Sequence, residues 1–93
     1  MKVFISGPMT GYPDHNRPAF FKVAEKILSN GDIPLNPAIF PDGLTYNEYM
    51  TLCEGMLKIA DKVVMLPGWK GSYGALTEHR FAALAKMEIE YWE

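Results

Sequence analysis

The sequence predicts a single α/β domain, with four parallel strands in the order 2-1-3-4 and helices on both faces. Three observations predict it. Short apolar runs alternate strictly with segments of helical period, the pattern of strand–helix–strand units joined by right-handed crossovers. The 93 residues suffice for one domain, spanning 1–93, and not for two. Glycine-rich loops follow the first and third apolar runs, where a parallel sheet presents its carboxyl ends and binds ligands.

Lys2 to Ser6 reads as a buried strand, because Val3, Phe4 and Ile5 are contiguous and apolar. Gly7 to Asn16 is a loop. Pro18 suits a first helical turn, where its missing N–H is no loss. Phe20, Phe21, Ala24, Ile27 and Leu28 then recur at helical spacing up to a stop at Gly31. Ile33 to Leu35 is a second strand ending at Asn36-Pro37. Thr45 and Glu48 form a capping box that opens a second helix. Its apolar face would use Tyr49, Leu52, Cys53, Met56, Leu57 and Ala60. Lys62 to Leu66 is a third strand, Pro67 to Gly71 a loop, and Ser72 the N-cap of a third helix running to about Lys86. Glu88 to Trp92 reads as an edge strand in preference to helix overrun.

A net charge of −2 speaks against binding a nucleic-acid backbone, yet leaves room for a small anion held by local potential. The lone cysteine, Cys53, excludes an intrachain disulfide. With no signal segment and no apolar stretch of membrane length, a cytoplasmic protein is expected, with no membrane partner. His15, His79 and Cys53 lack zinc-ligand spacing, so no metal is expected.

Three loops gather at the carboxyl ends: Gly7 to Arg17, Asn36 to Leu44, and Pro67 to Tyr73. The two glycine-rich ones flank helix N-termini, whose N–H groups attract anions, so two helix starts are expected to converge on one cleft. Gly7 and Gly11 would bring backbone N–H groups up to a phosphate or sugar; a loop that merely needs positive φ reads the same way. Arg17 is the cation nearest this loop, a bidentate phosphate ligand or a surface arginine. Trp69 stacks on a base or makes a subunit contact. His79 faces solvent or an interface, and Asp61 caps the start of the third strand, at the opposite end from the cleft.

Taken together, "VFISGPMTG", "NRPAF", "LNP", "YMTLCEGML", "ADKVVMLPGW" and "GSYGALTEHRFAALA" resemble, over nearly the whole chain, a family of small bacterial and phage proteins of unassigned function. That family is similar to the nucleoside 2-deoxyribosyltransferases and the 2′-deoxynucleoside 5′-phosphate N-hydrolases. The resemblance implies a flavodoxin-like fold, a small-molecule nucleotide as partner, no cofactor, and cleavage of an N-glycosidic bond. It implies Glu78 as nucleophile, attacking the sugar C1′ to form a glycosyl ester that water or another base releases. Ser72, six residues earlier, matches a phosphate-binding serine of the hydrolases, where the transferases carry aspartate. Substrate contacts are implied at Gly7, Pro8, Met9, Gly11, Arg17, Asn36, Trp69, Ser72 and Gly74. Helix geometry agrees. Six residues span about 9 Å of axis, and side chains lean back toward the N-terminus. Glu78 would therefore reach the cleft that begins at Ser72, and a carboxylate suits a developing oxocarbenium ion. A solvated surface glutamate is the alternative.

Two positions depart from the enzymes. Phe4 stands where they have a tyrosine that orients the nucleophile, and Cys53 where they have an aspartate. A thiol, with a pKa of about 8.5, is a weaker partner for a departing base. A nucleotide-binding or regulatory module without turnover is therefore the rival reading. The relatives also carry more chain after the fourth strand, so the edge and Tyr91-Trp92 would need cover from a homodimer or higher oligomer.

Overall fold

The computed structural model describes residues 1–92. Four strands, β1 (Lys2–Ser6), β2 (Ile33–Leu35), β3 (Lys62–Met65) and β4 (Glu88–Tyr91), form one sheet in the order β2-β1-β3-β4. Every pairing is parallel, with Phe4 opposite Leu35 on one side and Val63 on the other, and Val63 opposite Ile89. Helices α1 (Arg17–Ser29), α2 (Tyr46–Ile59) and α3 (Tyr73–Leu84) fill the connections. The order, the direction and all four strands are as the alternating pattern predicts.

Strand side chains alternate between faces, and this divides the interior in two. Val3, Ile5, Val64 and Leu66 pack on one side with Phe20, Val23, Ala24 and Ile27 of α1. Phe4, Val63 and Met65 pack on the other with Cys53 and Leu57 of α2 and Ala75 and Ala82 of α3. Thr45 begins α2 as the capping box predicts. Its hydroxyl accepts from the Glu48 amide at 3.1 Å, while the Glu48 carboxylate accepts from the Thr45 amide at 2.8 Å.

The structure narrows two predicted helix faces. Phe21 and Leu28 of α1 are 44% and 60% exposed, and Leu52 of α2 is 43% exposed. Each lies one position outside the stripe that meets the sheet. Helix α3 stops at Leu84, two residues early, because Lys86 turns into the left-handed region at φ 57°. The first loop holds a less expected feature. Asp14, His15 and Asn16 are all left-handed, at φ 51°, 52° and 61°, a conformation that non-glycine residues rarely adopt in succession. The Asn16 side-chain amide ties this turn down by donating to the Pro8 carbonyl at 2.9 Å.

Candidate active site

A cavity of about 470 Å³ opens at the carboxyl ends of the strands, between the first loop, the start of α3 and the side of α2. Strand β1 delivers two features to it. Gly7, at the strand end, lies so close to β3 that an added Cβ would stand 2.7 Å from Leu66 Cβ. The glycine is therefore needed for close packing of the two strand ends as well as for access to the cavity. Ser6 shares the Phe4 face, toward α2 and α3. Its hydroxyl donates to Glu78 Oε1 at 2.6 Å, and both residues are buried.

Glu78 is 8% exposed and borders the cavity. Burial pushes its carboxyl up to about 7, against the opposing pull of hydrogen bonds from Ser6 and from the Cys53 thiol. Cys53 is fully buried. Its thiol is pushed up to about 12, first by burial and then by the nearby Glu78 charge, so it stays protonated. Burial raises the phenol of nearby Tyr49 also. The Tyr49 hydroxyl meets Met9 Sδ of the first loop. Ser6, Glu78 and Cys53 thus form a buried polar cluster beside the cavity.

The start of α3 forms the opposite rim. Ser72 caps the helix by accepting from the Ala75 amide at 3.2 Å, which leaves its own O–H to donate elsewhere. Tyr73 and Gly74, whose amides precede the capped one, also border the cavity. Gly74 is small because α2 is close: an added Cβ would stand 3.3 Å from Met50 Sδ and 3.5 Å from the Tyr46 hydroxyl oxygen.

A family model described as a domain of unknown function, DUF4406, matches residues 1–91. The chain belongs to the DUF4406 family. No curated protein matches it. Among solved structures, this DUF4406 domain is similar to the 2-desoxiribosyltransferase from Leishmania mexicana, with a TM-score of 0.77 over 98% of the chain and 16% identity. The domain spans 63% of the length of that chain. The likeness establishes a deoxyribosyltransferase-like, flavodoxin-like fold.

Within the DUF4406 domain, six of the ten site residues expected from sequence border the same cavity: Gly7, Pro8, Met9, Ser72, Gly74 and Glu78. Four do not. Gly11 makes a left-handed turn at φ 84°. Buried Asn36 accepts from the Ala38 amide at 3.0 Å and so caps the short turn Pro37–Ile39. Trp69 stacks on His79, ring centroids 4.3 Å apart, and His79 Nε2 meets the Tyr91 hydroxyl at 2.7 Å. Arg17 borders a neighbouring cavity, where Asp42 and Asp14 engage its guanidinium at 2.7 and 3.2 Å. Of the two helix starts expected at the cleft, α1 lines it with the apolar Phe20, whereas α3 brings Tyr73 and Gly74. Pro18 has no N–H, and the Arg17 amide donates to the Asp14 carbonyl.

The sequence reading missed Ser6 and the tyrosines Tyr12, Tyr46 and Tyr49. For Ser6 a signal existed. It is two residues beyond Phe4 and so on the same strand face, toward α2 and α3.

Proposed function

We propose that the protein cleaves or transfers the N-glycosidic bond of a deoxynucleoside or its 5′-monophosphate, with Glu78 as nucleophile. The observation that carries this reading is a glutamate buried to 8% exposure at the edge of a 470 Å³ cavity, its carboxylate held by a 2.6 Å bond from Ser6. A buried ionisable group beside a cavity is a candidate functional site. The fold shared with a deoxyribosyltransferase supports the same reading.

In the reaction, the unprotonated Glu78 oxygen attacks C1′ as the bond to the base nitrogen breaks. The electron pair of that bond leaves with the base, which takes up a proton. The glycosyl ester then yields to water or to a second base. Among the described residues no arginine or lysine borders the cavity. A 5′-phosphate would therefore rely on the Tyr73 and Gly74 amides and the Ser72 hydroxyl at the positive end of α3.

One observation favours the rival reading, a module that binds nucleotides without turnover. The group beside Glu78 is a thiol pushed up to about 12, a poor proton donor to a departing base. A panel of deoxynucleosides and their monophosphates, assayed for free base, separates the two. Release by the wild type that falls about 10²-fold or more in Glu78→Gln, with ligand binding retained, supports the nucleophile. Binding without release from any member of the panel supports the module. Undiminished release by Glu78→Gln moves the chemistry elsewhere. Because the Glu78 carboxyl is held near 7, release should rise with pH through that region as the carboxylate forms.

A further inference from the structure

We propose that the second cavity, about 300 Å³ beside the first, seats an uncharged heteroaromatic ring, the base of a ligand whose sugar meets Glu78. The proposal rests on the glycosidic reading above and adds the orientation of the ligand and the residues that recognise its base.

The two cavities are neighbours, since Met9, Thr10, Pro37, Tyr46 and Tyr49 border both. A ligand longer than a sugar phosphate could occupy both. The second cavity offers flat apolar surface. Phe40 and Tyr49 stand edge to face, centroids 5.9 Å apart and planes at 86°, with Leu44 and Pro41 alongside. Aromatic rings are the side chains on which bases stack.

Its charges decide against an anion. Arg17 is the cation of this cavity, and its guanidinium already serves Asp42 at 2.7 Å, Asp14 at 3.2 Å and the Phe40 carbonyl at 3.5 Å. The Asp42 carboxylate also faces His15 Nε2 at 3.6 Å. Two carboxylates against one guanidinium leave no surplus positive charge for a phosphate, while the Arg17–Asp42 pair offers fixed donors and an acceptor to the edge of a neutral heterocycle. Phosphate attraction lies at the far end, on the α3 amides. The ligand is thus oriented with its 5′ end toward Ser72 and its base between the first loop and Leu44. The left-handed run Asp14–Asn16 is what brings Asp14 round to Arg17.

Titration calorimetry with three probes tests this: 2-deoxyribose 5-phosphate, free nucleobases, and deoxynucleoside monophosphates. Phe40→Ala and Asp42→Asn should each weaken the bases and the nucleotides about five-fold or more, and leave 2-deoxyribose 5-phosphate unchanged. Ser72→Ala should do the reverse, weakening the sugar phosphate and sparing the free bases. Asp42 is an exposed side chain, so Asp42→Asn keeps the test available if Phe40→Ala fails to fold. Unchanged nucleotide affinity in Asp42→Asn and folded Phe40→Ala overturns the proposal, as does equal weakening of the sugar phosphate, or failure of the wild type to bind any base or nucleotide. Failure of the glycosidic reading looks different: bases bind and respond to Phe40 and Asp42, but no nucleotide releases its base.

Discussion

The two faces of the sheet draw on the same strands but are filled differently. On the α1 face, Val3, Ile5, Val64 and Leu66 form an apolar cluster with Phe20, Val23, Ala24 and Ile27. On the α2–α3 face, Phe4, Val63 and Met65 meet Leu57 and Ala82, but Ser6, Glu78 and Cys53 join them below the surface. Burial of apolar area stabilises both faces. The second also holds a carboxyl that would be better solvated outside. The contrast teaches where stability has been given up, and it falls beside the cavity.

The largest effect expected from breaking the contrast lies on the apolar face. Ile27→Ala removes a 6% exposed side chain from the α1 packing and should lower stability to denaturant by about 2–5 kcal/mol. Ligand binding should survive wherever the variant is folded.

On the polar face the sign reverses. The Glu78 carboxyl is raised from an ordinary 4.5 to about 7 in the folded state. The stability linked to it is therefore complete below about pH 4.5 and is lost as pH rises through 7. Glu78→Gln, which cannot ionise, should match the wild type near pH 4 and be more stable by about 3 kcal/mol at pH 8. Urea midpoints at the two pH values check this. A Glu78→Gln protein less stable at pH 8 would mean that the ionised carboxylate holds the face together.

Ser6→Ala removes the 2.6 Å bond to Glu78 and should lower stability by about 1.5–3 kcal/mol where the carboxylate is charged. Its second effect is more telling. Loss of a bond that favours the charged form moves the Glu78 titration further upward, visible in its carboxyl carbon resonance and in the rise of any base release with pH. Ser6→Thr, keeping the hydroxyl, should largely restore both. The smallest effect is expected at Ser72. Ser72→Ala gives up the bond from the Ala75 amide and should lower stability by about 1 kcal/mol, read from the thermal midpoint.

Most of the frame was legible because its signals are local. The Val3–Ile5 run, the Thr45–Glu48 box and the Ser72 cap each announce themselves within a few residues, while the Glu88 to Trp92 strand had to be preferred over helix overrun. Glu78 was found through the resemblance, and its burial could not be read from neighbours such as Thr77 and Arg80, which face solvent. What stayed hidden depends on contacts between distant segments. Gly7 read as a ligand-facing residue, although part of its reason is Leu66 on another strand. Arg17 read as an anion ligand or a surface arginine, because nothing local reveals that Asp42, on another loop, joins Asp14 on its guanidinium. Left-handed backbone at Asp14, His15 and Asn16 has no glycine to mark it. Leu52 looked like a buried residue because a helical stripe one residue too wide fits the same periodicity.

Ser6 and Glu78 are 72 positions apart, with two helices and two strands between them. Their contact exists only where β1 and α3 are docked, so it joins the two ends of the chain. A molecule that touches both residues therefore binds only chains in which those two elements are together. It should shift global unfolding by mass action, leaving hydrogen exchange through smaller openings that keep β1 and α3 docked almost untouched.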